Sequence, residues 1–150
     1  MLTADHPVRG EPADKTRKSM RRTRRAPIRK AEEMDELWMR SVAGVYDGKI
    51  EDFKRLAEEM LSTIRDKDSE TLNFSIFLAE PTRVAVFLEE YASSAGWLAH
   101  RANLGPLLPR VPEVCEFTQV EVYGDPTPEA CATLAEAGPT MSYYPALLAL

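Results

Sequence analysis

The chain of 150 residues is 44% hydrophobic and 29% charged, a composition typical of one globular domain with a sizeable core. Residues 1–30 carry ten Lys/Arg against three Asp/Glu, whereas the other 120 carry nine against twenty-one, and this acidic body argues against nucleic acid as the main ligand. No apolar run approaches the roughly 18 residues of a spanning helix, and none follows the basic N-terminus as in a secretory signal, so we expect a cytoplasmic protein without a membrane partner.

Residues 1–33 contain three prolines and the basic run from Lys15 to Arg25, with almost no periodic apolar residues. Such a segment buries too little surface to offset the entropy of ordering, so we predict a disordered basic tail. The interpretations that stay open are a polybasic arm for anionic partners and an idle leader, or even a misplaced start codon, given Met20 and Met34 downstream.

Between residues 37 and 91 the spacing of apolar residues switches between that of strands and that of a helix. Leu37–Tyr46 is short and apolar and ends in an Asp-Gly turn, which predicts a strand. Apolar residues in 49–67 recur at three- and four-residue steps, which predicts an amphipathic helix. Thr71–Ala79 and Val84–Tyr91 are strand-like and separated by a short turn, so we expect a hairpin.

The second half repeats the pattern of a helix and a strand. Ser93 or Ser94 can cap a helix that carries His100. Val114–Tyr123 alternates in polarity and predicts a fourth strand. Cys115 and Cys131 are too few and too far apart for a disulfide framework or a common zinc site, so we expect reduced, structural thiols.

The order strand, helix, strand, strand, helix, strand predicts a ferredoxin-like α+β domain over residues 37–124, with a four-stranded antiparallel sheet and both helices on one face. Residues 125–150 form a C-terminal extension with a short helix near 129–137. We place Phe74 and Ile76 on one face of the sheet and Phe77 and Phe87 on the other, so a second layer is required. A homodimer is the simplest source of that layer.

Three local motifs add to this interpretation. A strand with Glu89 and Tyr91 runs into a helix with His100 nine residues after the tyrosine. Asp47-Gly48-Lys49 precedes the first helix, and Leu72-Asn73-Phe74 lies in the second strand. Together these motifs resemble the antibiotic biosynthesis monooxygenase (quinol monooxygenase-like) family over about residues 37–123.

The resemblance implies a dimeric α+β barrel, in which two ferredoxin-like sheets close face to face. Its characterised members include cofactor-independent oxygenases of aromatic phenols and quinols, so the implied partners are a small aromatic substrate and dioxygen. Some relatives bind and degrade haem, but the first strand lacks the Asn of that branch. We therefore expect no cofactor. The sequence has no pair of histidines at the spacing of metal ligands, so we expect no metal either.

Oxygenation without a cofactor needs a substrate that can itself reduce dioxygen, and a phenol does so better once deprotonated. We assign His100 as the base, because an imidazole titrates near neutrality. Glu89 is expected to tune His100, and Tyr91 or Asn73 to hydrogen-bond the substrate oxygen. The aromatic residues expected to contact the substrate are Trp97, Phe77 and Phe87.

Other interpretations stay open at this point. His100 can be a hydrogen-bonded structural residue, Glu89 a partner of Arg101, Arg40 or Arg83, and Trp97 a core residue. The whole domain can be a non-catalytic small-molecule-binding dimer on the same scaffold. An RNA-recognition motif shares the element order, but its Lys/Arg-Gly-aromatic signature is missing from the third strand.

Overall fold

The structure is a computed structural model that describes residues 25–136, 138 and 140–150. Most of the predicted basic tail, with His6, lies outside these residues. The strands are β1 (Arg29–Lys30), β2 (Leu37–Val45), β3 (Thr71–Ala79), β4 (Val84–Tyr91), β5 (Cys115–Tyr123), β6 (Met141–Tyr144) and β7 (Leu148–Ala149). The helices are α1 (Ile50–Lys67), α2 (Ser94–Leu104) and α3 (Pro128–Ala135), with short 3₁₀ turns at Ala31–Glu33, Glu80–Thr82 and Leu108–Glu113.

The main sheet has the strand order β3-β4-β2-β5-β6. Its first four strands pair antiparallel, with β2 in the centre, as in the predicted ferredoxin-like fold, which is confirmed. The predicted strand count is wrong by one, because β6 from the C-terminal extension pairs parallel to β5. The extension therefore widens the sheet instead of lying outside it.

The last residues of the segment predicted as a tail, from Arg29 to Glu33, form strand β1 and a 3₁₀ turn. Strand β1 pairs antiparallel with β7, so the two ends of the described chain lie side by side. Arg29 also donates two hydrogen bonds to Glu36, with Nη1–Oε1 at 2.7 Å and Nη2–Oε2 at 2.9 Å. Local periodicity does not reveal this pairing, because its partner is more than a hundred residues away.

One face of the sheet is covered by the helices. The buried residues of α1 are Phe53, Leu56, Met60 and Ile64, which form the stripe that the sequence predicts. Ile76 of β3 lies opposite Phe87 of β4, and residues directly opposite each other share a face. Phe87 is therefore a core residue on the helix-covered face, which corrects its predicted place beside Phe77.

The other face of the sheet has no covering layer within the described chain. Large apolar side chains there are between 37% and 56% exposed, among them Trp38, Phe77, Val84, Leu88 and Tyr123. Within the described residues, none of the helices has the length and hydropathy needed to span a membrane.

Candidate functional site

A cavity of about 120 Å³ lies between α2 and the helix-covered face of the sheet. The sheet contributes strand residues that point toward the helices, namely Met39, Ser41, Glu89, Phe117, Val120 and Met141. The helices and the turn after α2 contribute Trp97, His100, Arg101, Leu108 and Leu134. The wall is therefore mostly apolar, with a few polar groups that converge on one space.

His100 lies on α2, which begins after Ser93, whose side chain accepts a hydrogen bond from the Gly96 amide at 3.1 Å. The imidazole is nearly buried, and its Nδ1 lies 2.7 Å from Oδ2 of Asp68. Among the described residues the ring makes no other hydrogen bond. Every fully buried polar side-chain atom in that part of the chain has a partner, so Nε2, which has none, is not fully buried. Nε2 is therefore open to the cavity.

Asp68 follows the last residue of α1 and is held from three sides. Thr71 donates to its Oδ2 at 2.7 Å, and Asn103 donates to its Oδ1 at 2.8 Å. Burial raises the pKa of Asp68, but the hydrogen bonds from Asn103, Thr71 and His100 outweigh it and leave this pKa below its ordinary value. An ionised carboxylate accepts only, so Nδ1 of His100 carries the proton.

The protonation state of His100 follows from its surroundings. Burial lowers its pKa, and Asp68 only partly opposes this effect. The ring is therefore neutral at pH 7, with a proton on Nδ1 and a free lone pair on Nε2. This is the form in which an imidazole can act as a base toward a ligand in the cavity.

Glu89 and Tyr91 form a second polar pair. The Tyr91 hydroxyl donates to Oε2 of Glu89 at 2.7 Å, and its ring lies edge-on to His100 with the centroids 5.1 Å apart. Burial raises the pKa of Glu89 to about 7, with only partial opposition from Tyr91. Burial and the charge of Glu89 also raise the pKa of Tyr91 well above 10, so Tyr91 remains a donor.

Glu89 should make stability depend on pH. Its pKa of about 7 lies above the ordinary value of 4.5, so folding favours the protonated form, and stability falls as pH rises from about 4.5 to 7. Compared with Glu89→Gln, the wild type should lose about 2 kcal/mol more between pH 5 and pH 8, measured by urea unfolding. Glu58→Gln, an exposed change on α1, should follow the wild type, and equal losses in all three proteins would contradict the raised pKa of Glu89.

The other predicted site residues are divided between the cavity and the rest of the fold. Trp97 is 4% exposed and lines the cavity. Phe87 packs behind it in the core, against Phe74 and Phe117. Asn73 and Phe77 are exposed on the uncovered face of the sheet, where the Asn73 amide donates to the Leu88 carbonyl at 3.3 Å.

Glu89 was expected to tune His100, but the carboxylate bonded to the imidazole is that of Asp68. Asp68 was missed because it lies 32 residues from His100 and follows a helix, where an acidic residue usually faces water. The available signal was the spacing of Asp68 and Thr71 between a helix and a strand, which is typical of a side chain that bonds locally.

Solved structures share this fold. MupZ from Pseudomonas fluorescens is 16% identical with a TM-score of 0.62, over 75% of this chain and 85% of that one. SnoaB from Streptomyces nogalater, described as a cofactor-independent oxygenase, is 9% identical with a TM-score of 0.52, over 62% and 95%. A protein from Bacteroides thetaiotaomicron, described as a candidate antibiotic biosynthesis monooxygenase, is 17% identical with a TM-score of 0.52, over 65% and 91%.

At these identities the likeness is one of fold. No family model matches the sequence, and no curated protein matches it. The predicted resemblance is confirmed at the level of architecture, since solved structures with the same ferredoxin-like α+β fold include proteins described as oxygenases.

Proposed function

We propose that the protein is a cofactor-independent monooxygenase that acts on a quinol or an aromatic phenol. The observation that carries this proposal is the pair of Asp68 and His100, which leaves Nε2 unprotonated and open to an apolar cavity. The oxygenase description of a protein with the same fold supports it.

The chemistry begins with the transfer of a phenolic proton to Nε2 of His100. The imidazolium that forms is stabilised by Asp68, which is already bonded to Nδ1. The electron-rich phenolate then reduces dioxygen. For a hydroquinone the balance is C₆H₆O₂ + O₂ → C₆H₄O₃ + H₂O, so one oxygen atom enters the ring and the other leaves as water, with the substrate as the electron donor.

Glu89 supplies a hydrogen-bond donor that complements the base His100. Because its pKa is about 7, a large share of the carboxyl groups is protonated at neutral pH, and this form can donate a hydrogen bond to a second oxygen on the ring. Tyr91 holds Oε2 and so acts through Glu89. A base on α2 and a donor on β4, both lining the cavity, suit a substrate with a hydroxyl group and a further oxygen.

The size of the cavity favours small substrates. A cavity of about 150 Å³ holds benzene, and this one measures about 120 Å³. We therefore expect one-ring quinols to be better substrates than multi-ring phenols.

Oxygen consumption tests the proposal. The purified protein is incubated with one-ring quinols and hydroxylated anthracyclic compounds, and the rate is compared with that of His100→Ala. Uptake with a one-ring quinol well above the variant is the expected result. If no compound supports uptake above the variant while ligands still bind, the second candidate, a non-catalytic binding protein on the same scaffold, replaces this function.

We also propose that the protein is a homodimer that pairs through the uncovered face of the sheet. The support is the set of large apolar side chains there, among them Trp38, Phe77 and Leu88, which are 51%, 56% and 38% exposed. Light scattering at micromolar concentration should give the mass of two chains, and Phe77→Glu with Leu88→Glu should give one. A wild-type mass of one chain would refute the dimer, and Glu58→Gln serves as the control.

A further inference from the structure

Arg101 is the cavity residue to which the proposed function gives no role. It follows His100 on α2, is partly buried and lines the cavity. Among the described residues its side chain makes no hydrogen bond or ion pair, although most other arginines there pair with a carboxylate, as Arg29, Arg40 and Arg110 do. An arginine that lines a cavity and has no counterion favours an anionic ligand there.

The position of this charge is constrained by its neighbours. The pKa of His100 is lowered mainly by burial, and the positive charge of Arg101, the next residue on α2, also lowers it. Glu89 lines the same cavity, only burial and Tyr91 shift its pKa, and the ion pairs of the described residues include none between Glu89 and Arg101. The positive charge of Arg101 therefore acts on His100, which precedes it on α2, and no ion pair with Glu89 neutralises it.

The residues first assigned to the substrate anion are not available for it. The Tyr91 hydroxyl donates to Glu89, and Asn73 lies on the opposite face of the sheet, bonded to the Leu88 carbonyl. The proton that His100 removes must nevertheless leave a negative oxygen next to its Nε2. Of the polar groups that line the cavity, Arg101 is the permanently charged one.

We propose that Arg101 binds the phenolate oxygen of the ligand, so that the site selects phenols in their ionised form. The inference rests on the proposed function in one respect, namely that this cavity is the substrate site. Arg101 would act there as the electrostatic partner of the anion that His100 creates. Binding of an ionised phenol does not require turnover, so the two proposals can fail separately.

Titration of bound 4-nitrophenol tests the inference, because its phenolate is coloured and reports ionisation directly. The ligand should ionise about one to three pH units lower on the wild type than on Arg101→Gln, since an opposite charge within a few ångströms favours the charged form by that amount. Glu89, His100, Asp68 and Tyr91 also titrate around the cavity. They are common to both proteins, so the difference isolates Arg101.

Two variants and one ligand serve as controls. Arg101→Lys keeps the charge and should retain most of the effect, whereas Arg65→Gln, on the exposed side of α1, should behave as the wild type. Nitrobenzene cannot ionise and should bind the wild type and Arg101→Gln with the same affinity. Equal loss of both ligands in Arg101→Gln would indicate a structural role and contradict the inference.

Two further results would contradict the role of Arg101, and one would separate it from the proposed function. The inference is wrong if 4-nitrophenol ionises at the same pH on wild type and Arg101→Gln, or if the wild type does not bind it at millimolar concentration. A lowered ionisation pH without oxygen uptake on any quinol would keep Arg101 as an anion-binding residue and refute the monooxygenase.

Discussion

Replacing His100 by Gln should lower the rate of quinol-dependent oxygen uptake by about 10²- to 10⁴-fold, the usual contribution of a positioned base. Nε2 of His100 is open to the cavity, whereas Nδ1 is committed to Asp68. A glutamine can keep a hydrogen bond to Asp68 through its amide but has no basic nitrogen. The change therefore removes the base with little change to the packing of α2.

Circular dichroism and the urea midpoint of His100→Gln should show that the fold is retained. Glu58→Gln, an exposed carboxylate on α1, should keep the full rate. A folded His100→Gln protein with more than about a tenth of the wild-type rate would exclude His100 as the base.

Asp68→Asn should lower kcat by about 10²-fold, although Asp68 does not touch the cavity. Its two oxygens accept from Asn103 on one side and from Thr71 and His100 on the other. The asparagine must present an NH₂ group to one of these sides. If that side is His100, the ring takes the proton on Nε2 and can no longer act as a base.

The pH profile separates this positioning role from a loss of structure. Asp68 raises the pKa of His100 against the effect of burial, so its neutralisation should move the acidic limb of kcat/KM to lower pH. Asn103→Ala keeps the carboxylate and should leave the limb close to its wild-type position. An acidic limb that does not move in Asp68→Asn would contradict the role of Asp68.

The hairpin shows what sequence periodicity can provide. The predicted bounds of the second and third strands are those of β3 and β4, because alternation over eight or nine residues is a strong local signal. Alternation does not fix how neighbouring strands align. The register that places Phe87 opposite Ile76 depends on tertiary packing. Because of this register Phe87 is a core residue and not the substrate contact that was predicted.

The C-terminal extension shows the limit of the same method. Strand β6 has four residues, Met141–Tyr144, and pairs parallel to β5, whose partner residues begin at Val120. So short a segment has too few positions for a period to be recognised, and its pairing is set by distant residues. The widening of the sheet, and with it the contribution of Met141 and Leu134 to the cavity wall, could not be predicted.

At the candidate site, residues close together in the sequence could be grouped, whereas those brought in by packing could not. Glu89, Tyr91 and His100 lie within one strand and the following helix, so a local motif could group them. Asp68 and Arg101 depend on how the end of α1 and one face of α2 meet the sheet. Packing determined which carboxylate is bonded to the imidazole and which cation lines the cavity.

Isotope labelling gives the most direct test of the proposed function. The purified wild-type protein is incubated under ¹⁸O₂ with a one-ring quinol and no added cofactor, and the product is examined by mass spectrometry. We expect one ¹⁸O atom per product molecule, one dioxygen consumed per product, and no product above background with His100→Gln. Product that carries oxygen from water alone, or equal product from His100→Gln, would contradict a monooxygenase with His100 as its base.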